Sequence, residues 1–183
     1  MKKERARCTR ANLTRAFLRR METHTPDVVR RMEIQILMNT TADAFGEKSE
    51  SVMALPADGA LRKYTSCTEK WSRKKGIRPD ILYRKAQALG SRVRHMTGFT
   101  DPEDLRRLLF WMYRNIGITM EGSLPGEILI PHCYFSAFYT PVRCRLMSAM
   151  DAGVITGLCG RGKLRFTERI TEGCARCAAR YTM

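Results

Sequence analysis

The sequence predicts an α+β fold in which a helical N-terminal half packs on a small antiparallel sheet with one helix. Apolar residues recur at helical spacing through most of residues 1–117. After Gly122 the pattern changes to a short apolar run bounded by Pro131, and residues 163–169 alternate between apolar and polar. We therefore predict a helical scaffold over residues 1–117 and a strand, helix and β-hairpin unit over residues 118–183, together in one domain.

Two helices are predicted to open the scaffold. The first presents four apolar residues on one face: Leu13, Ala16, Phe17 and Met21. The second begins with Thr25 as N-cap and Pro26 at the first helical position. It is predicted to bury a stripe of three residues: Val29, Met32 and Ile36. Residues 46–59, which are rich in glycine, serine and charged side chains, are predicted to form an exposed loop.

Two further helices are predicted before Gly117. One begins near Pro79, ends at Gly98 and turns four apolar residues inward: Leu82, Leu89, Val93 and Met96. The next is capped by Asp101 and carries Pro102 in its first turn. Its apolar face has five members: Leu105, Leu108, Leu109, Met112 and Ile116.

The C-terminal unit is predicted from local signals. The apolar run Glu127–Ile130 fits a strand, and Thr140 with Pro141 opens a helix that reaches about Ile155. Glycines at 157, 160 and 162 permit tight turns, and residues 163–169 and 174–182 form the two hairpin strands.

Composition limits the class of protein. The chain has 183 residues, 44% of them hydrophobic and 28% charged, which is ordinary for a globular domain. It has no apolar run approaching the roughly 20 residues that a membrane helix requires. The N-terminus lacks the apolar segment of a secretory signal, and the seven cysteines are an odd number. We therefore predict a cytoplasmic protein with reduced thiols and no membrane span.

The charge of the chain is strongly positive and unevenly spread. The formal net charge is +15, and residues 1–100 hold 22 basic and 10 acidic side chains. One basic cluster, Arg73 to Lys75, lies next to Trp71. Such a field favours anionic partners, from small carboxylates to nucleic acid, but a solvated helical surface in a basic protein is the simpler interpretation. The chain shows no aromatic RNA-binding motif and no convincing helix-turn-helix, so nucleic acid is not the favoured partner.

Five of the seven cysteines lie in the last 51 residues, and this region is the candidate site. Cys144, Ser148 and Asp151 share one face of the predicted helix. Cys144 lies near the first turn beside Arg143, where thiolate is favoured, so we select it as nucleophile with Asp151 as proton shuttle. The alternative is that Cys144 only packs as a small buried residue and that Asp151 makes a structural hydrogen bond.

The same cysteines are also candidate metal ligands. Five residues are candidates for holding zinc or another soft metal: His132, Cys133, Cys144, Cys174 and Cys177. The spacing of Cys174 and Cys177 resembles half of a zinc knuckle, but residues three apart on a regular strand point to opposite faces. A second pair with this spacing is absent, which weakens the metal hypothesis.

A family resemblance adds to this interpretation. The C-terminal pattern contains Leu164-Arg-Phe166 and Glu168-Arg169, and then Gly173-x-x-x-Cys177-x-x-Arg180-Tyr181. It resembles the end of the L-2-amino-thiazoline-4-carboxylic acid hydrolase family and of the related 4-vinyl reductase-type ligand-binding domains. The resemblance implies a pocket between helix and sheet, with Cys133, Cys144, Asp151 and Cys177 near its functional positions. It also implies a zinc option in which Glu168 would join the cysteines.

The leading functional hypothesis is a hydrolase that acts on a carbon–nitrogen bond of a small, anionic molecule. Cys144 and Asp151 would be catalytic, while Ser148, Arg143 and Arg169 would contact the substrate. The alternative is a non-catalytic module that binds a small ligand or zinc. A basic nucleic-acid-binding protein is the third hypothesis.

Overall fold

The computed structural model describes residues 2–74 and 78–183, with side chains from residue 11 onward. Lys75 of the predicted basic cluster lies outside the described residues. The described chain forms six α-helices: α1 Lys2–Thr23, α2 Asp27–Phe45, α3 Ala57–Trp71, α4 Pro79–Thr97, α5 Pro102–Asn115 and α6 Pro141–Cys159. It also forms four strands: β1 Ile118–Gly122, β2 Gly126–Cys133, β3 Lys163–Glu168 and β4 Cys177–Thr182. Two short 3-10 helices cover Tyr134–Ala137 and Ile170–Glu172.

The four strands form one antiparallel sheet in the order β1-β2-β4-β3. The central pair β2 and β4 places Ile130 opposite Cys177, and the β3–β4 pair places Phe166 opposite Ala179. Helices from both halves of the chain pack against the sheet, with α5 against β1 and α6 against β3. The predicted α+β fold is confirmed.

Helix ends follow the predicted capping signals where a polar side chain or a glycine supplies them. The Asp101 carboxylate accepts hydrogen bonds from the backbone N–H groups of Glu103 and Asp104, at 2.9 and 3.3 Å. Thr140 Oγ1 accepts from the N–H of Arg143 at the start of α6, at 3.3 Å. Gly98 ends α4 in the left-handed conformation, with φ of 72°. Thr25 differs from the prediction, because α2 starts at Asp27 without a side-chain cap.

Two elements were not predicted. Helix α3 covers Ala57–Trp71, and its N-terminus has only Pro56 and no side-chain cap. Strand β1 pairs with β2 and precedes the point at which the sequence pattern changes. The second strand of the hairpin also starts later than predicted, because Cys174 lies in the connection and β4 begins at Cys177.

Helices α4 and α6 approach closely through glycines. Gly90 of α4 and Gly153 and Gly157 of α6 leave no space for a Cβ atom, because backbone atoms of the opposite helix occupy it. The prediction that Gly157 forms a turn is therefore wrong: α6 continues to Cys159, and Gly157 is a contact residue within it. Gly160 and Gly162 do adopt positive φ after the helix.

Several residues predicted to be buried in helix faces are exposed. Leu13 is 69% exposed, and the buried face of α1 instead includes Leu18. Met32, Ile36 and Met96 are also exposed, although they belong to apolar stripes. These three residues line a cavity, described below. Their apolar spacing therefore indicated the correct helix faces, but those faces border the cavity and not a packed core.

No helix among residues 2–74 and 78–183 has both the length and the apolar content that crossing a membrane requires.

Candidate functional site

A large apolar cavity, here called the central cavity, lies between the helices and one face of the sheet. Its volume is about 470 Å³, within the range of small-molecule sites. Side chains from all four strands and from all six α-helices of the described chain contribute to its walls. Its sheet wall includes Ile118, Ile130, Phe166 and Cys177.

Exposed apolar side chains mark where the central cavity meets the surface. Phe17 of α1, Met32 and Ile36 of α2 and Met96 of α4 all line it, and they are between 45% and 72% exposed. The mouth therefore lies between α1, α2 and α4. An exposed apolar rim leading into an apolar interior is a common feature of binding sites for small apolar molecules.

Polar groups in this wall are few and are acidic or neutral. Two of the described lining residues are charged, Glu33 and Asp151, and none of them is lysine, arginine or histidine. This is unexpected in a chain with a net charge of +15. The cavity therefore excludes the positive charges that cover much of the chain.

Asp151 is held in the wall by a tyrosine. The Tyr113 hydroxyl donates a hydrogen bond to Asp151 Oδ1 at 2.8 Å. Burial raises the pKa of Asp151 to about 6, and the hydrogen bond from Tyr113 and the positive charge of Arg169 oppose this rise. Asp151 can therefore exist in both protonation states near neutral pH, as general acid–base chemistry requires.

Glu33 of α2 is the second acid of the cavity, and it was not among the site residues predicted from the sequence. Asn115 Nδ2 donates to Glu33 Oε2 at 2.9 Å. Burial raises the pKa of Glu33 to about 8, against the opposing effects of Asn115 and Arg30. A sequence signal for it existed, because Glu33 follows Val29 by four residues and so lies on the predicted apolar stripe of α2.

The three residues predicted to share a face of α6 all line the central cavity. Cys144, Ser148 and Asp151 lie on its wall, as their spacing indicated. The Ser148 hydroxyl donates to the backbone carbonyl of Cys144 at 2.8 Å, so it is engaged within the helix. The structure thus places the predicted nucleophile and the predicted acid in one cavity, while their catalytic role stays a prediction.

Two other cysteines of the predicted site also line the cavity. Burial raises the pKa of Cys133 to about 12, which strongly disfavours its thiolate. Burial likewise raises the pKa of Cys177, whose sulfur accepts a hydrogen bond from the N–H of Ile170 at 3.3 Å. Both thiols therefore favour the neutral form and contribute to the apolar wall.

The five predicted metal ligands are not gathered at one point. Within residues 11–74 and 78–183, no three or more His, Cys, Asp or Glu side chains are grouped so that they could hold a metal ion. His132 is exposed on β2, and Cys174 lies in the turn before β4. Glu168 is exposed, and its Oε2 atom lies 3.7 Å from Nε of Arg176. The zinc hypothesis stays a prediction that this arrangement does not support.

Neither arginine predicted to bind substrate lines the cavity. Arg143 Nε donates to Ser72 Oγ at 2.8 Å, and its guanidinium lies 5.9 Å from the centre of the Tyr139 ring. The Arg169 guanidinium carbon lies 4.8 Å from the centre of the Phe166 ring, and Arg169 acts on Asp151 only through its charge. The expected carboxylate-binding arginines are therefore behind the wall of the cavity or away from it.

The predicted polyanion-binding cluster is only partly available. Trp71 is 4% exposed and packs in the core, so its ring cannot stack on a nucleic-acid base. Arg73 pairs with Glu69 at 2.8 Å, and Lys74 pairs with Glu47. These contacts neutralise part of the positive field that the sequence alone indicated.

Comparison of the chain with models of protein families, with curated proteins and with solved structures finds no match. The resemblance to the hydrolase family and to the 4-vinyl reductase-type domains therefore remains a hypothesis from the C-terminal pattern. The geometry of the central cavity is consequently the basis for a functional proposal.

Proposed function

We propose that the protein binds a small, largely apolar molecule in the central cavity. The observation that carries this proposal is the combination of a volume of about 470 Å³ with walls that are almost entirely apolar. Packed interiors normally contain few voids larger than a water molecule. A cavity of this size leaves many apolar side chains without packing partners, and a bound ligand would supply them.

The driving force would be the removal of apolar surface from water. Burial contributes roughly 25 cal/mol for each Å² of apolar surface, so removing about 600 Å² of ligand and cavity-wall surface from water gains about 15 kcal/mol, before an association cost of at least about 4 kcal/mol. Affinity in the micromolar range needs about 8 kcal/mol. An apolar ligand of moderate size is therefore sufficient for binding at this strength.

Binding is tested with the neutral fluorescent probe N-phenyl-1-naphthylamine. We expect its emission to rise on addition of the protein, with micromolar affinity. A Ser148→Trp variant, which fills part of the cavity, is expected to weaken binding by at least about tenfold. Leu13→Trp is the matched control, because Leu13 is 69% exposed and does not line the cavity.

A second cavity-filling variant keeps the test valid if Ser148→Trp does not fold. Met112 is half-buried and lines the cavity from α5, so Met112→Trp should weaken binding in the same direction. Circular dichroism checks that each variant is folded. Probe binding that is equal in all the folded variants would contradict the proposal.

Hydrolysis is the second candidate function, and the placement of Cys144 and Asp151 on one cavity wall favours it. The Cys144 sulfur would attack the electrophilic carbon as the thiolate, its proton having passed to water, and protonated Asp151 would donate a proton to the departing nitrogen. The resulting Asp151 carboxylate would then take a proton from the water molecule that breaks the carbon–sulfur bond and releases Cys144. If the protein turns over L-2-amino-thiazoline-4-carboxylic acid, Cys144→Ala should reduce kcat at least about a thousandfold. Cys159→Ala is the control because Cys159 does not line the central cavity. Full turnover by Cys144→Ala would refute the catalytic assignment.

A further inference from the structure

The two acids of the central cavity each have one oxygen without a partner. Asn115 donates a hydrogen bond to Oε2 of Glu33, and the Tyr113 hydroxyl donates one to Oδ1 of Asp151. Glu33 Oε1 and Asp151 Oδ2 accept no hydrogen bond from any residue in the described part of the chain. Neither oxygen is fully buried, and both residues line the cavity, so these two oxygens are available to a ligand.

Tyr113 lies in the wall of the central cavity and contacts one of the two carboxyls. It is 5% exposed, and its hydroxyl donates a hydrogen bond to Asp151. Burial raises the pKa of this hydroxyl, and the negative charges of Asp151 and, more weakly, Glu33 raise it further. Asp151 of α6 and Glu33 of α2 therefore line one cavity, with Asp151 in contact with Tyr113 and Glu33 acting on it through its charge.

The surroundings of these carboxyls do not supply a cation within the cavity. The ionisable groups that act on Glu33 or Asp151, or are affected by them, are Arg30, Tyr64, Tyr113, Cys133, Arg169 and Cys177. Of these, Arg30 and Arg169 are basic, and neither lines the cavity. An ionised carboxylate in an apolar wall is unfavourable unless it is paired, and a positively charged ligand would provide the pairing.

We propose that the ligand is an apolar molecule with a protonated amine, which hydrogen-bonds to Asp151 and is attracted by the charge of Glu33 while its apolar part fills the rest of the central cavity. This inference deepens the proposed function and depends on it. It also reverses the charge expected from the sequence, which indicated an anionic molecule. Charge-assisted hydrogen bonds are about twice as strong as neutral ones, and they would select an amine over an alcohol of equal length.

The test compares three ligands with the same ten-carbon chain: decylamine, decanol and decanoate. Each displaces N-phenyl-1-naphthylamine from the protein at pH 8.5, at concentrations below micelle formation. We expect decylamine to bind at least about tenfold more tightly than decanol, and decanoate to bind most weakly. Equal displacement by all three ligands would overturn this inference and leave the proposed function intact. Absence of any probe binding would instead overturn the proposed function, and this inference with it.

The pH dependence of the amine preference distinguishes recognition by the two acids from nonspecific hydrophobic binding. Decylamine remains protonated up to pH 8.5, whereas Glu33 and Asp151 gain protons as pH falls. The preference for decylamine over decanol should therefore shrink towards equality by pH 5. Asp151→Asn should reduce this preference at pH 8.5 by about tenfold, and Glu33→Gln should reduce it by a smaller factor, because Glu33 acts only through its charge.

A matched control separates the cavity from the surface. Glu127→Gln removes one negative charge from an exposed position on β2 that does not line the cavity. It should leave the amine preference and its pH dependence unchanged. A preference that survives in folded Glu33→Gln and Asp151→Asn proteins, or that falls equally in Glu127→Gln, would refute the inference.

Discussion

Replacing Gly157 by alanine is expected to lower the free energy of unfolding by about 3 kcal/mol. A Cβ at this position would overlap the carbonyl oxygen of Gln87 and lie 2.8 Å from the backbone nitrogen of Ser91. Both contacts are with the backbone of α4, which cannot move aside as a flexible side chain can. Helices α4 and α6 would have to separate, and packing would be lost along their contact.

Gly59 is the matched control for this substitution because it is also a glycine within a helix. A Cβ at Gly59 would meet its nearest atoms, in the side chain of Pro56, at 3.4 Å, which is ordinary van der Waals contact. Gly59→Ala should therefore be neutral or stabilising by up to about 1 kcal/mol. Urea unfolding followed by circular dichroism measures both variants. Equal stability of the two variants would contradict the close helix contact described here.

Glu33→Gln is expected to raise the free energy of unfolding at pH 8.5 by about 4 kcal/mol relative to the unchanged protein. Burial raises the pKa of Glu33 from its ordinary value of 4.5 to about 8. The folded protein therefore holds a proton on Glu33 that the unfolded chain releases above pH 4.5. Stability from this group is complete below pH 4.5 and decreases as pH rises, until it is lost above about pH 8.

Glutamine removes this titration but keeps an oxygen that can accept the hydrogen bond from Asn115. The stability difference between Glu33→Gln and the unchanged protein should consequently be small at pH 4.5 and grow towards pH 8.5. Denaturant unfolding at several pH values measures it, and the comparison cancels the titration of all other groups. Glu127→Gln should show no such trend. A difference independent of pH would show that Glu33 is not held in a desolvated position.

The parts of the fold that the sequence predicts well are those with local signals. Asp101 and Thr140 cap their helices through their own side chains, and Gly98 ends α4 because it can adopt positive φ. Helix α3 lacks such a signal, since Pro56 offers no side-chain acceptor, and it was missed. The order of the strands depends on contacts between distant residues, which local patterns do not determine.

The sequence predicted the part of the candidate site that lies on α6 but not the part that lies on α2, and the difference has a physical reason. The spacing of Cys144, Ser148 and Asp151 places them on one face of α6, and that face does line the cavity. Apolar periodicity cannot distinguish a stripe that packs against protein from one that borders an open space. The stripe containing Met32 and Ile36 was therefore predicted to lie in the core, although Glu33 lies on the same stripe.

The predicted ligands of a metal failed to converge for a different reason. Cys174 and Cys177 are close in sequence, but a turn separates Cys174 from the strand that buries Cys177. Arg143 was expected at the site because of its neighbour Cys144, yet adjacent residues on a helix point in different directions. Sequence proximity was thus a weaker guide than helical phase.

The central claim is that the cavity holds an apolar ligand, and the methionine methyl groups test it most directly. Five of the 11 methionines line the cavity: Met32, Met96, Met112, Met147 and Met150. Met53 and Met120 lie outside it and serve as internal references. In a methyl-labelled NMR titration with decylamine, we predict that the five cavity signals shift together and saturate while the two reference signals stay unchanged. Signals from Met112, Met147 and Met150 that do not move at saturating ligand would contradict the claim.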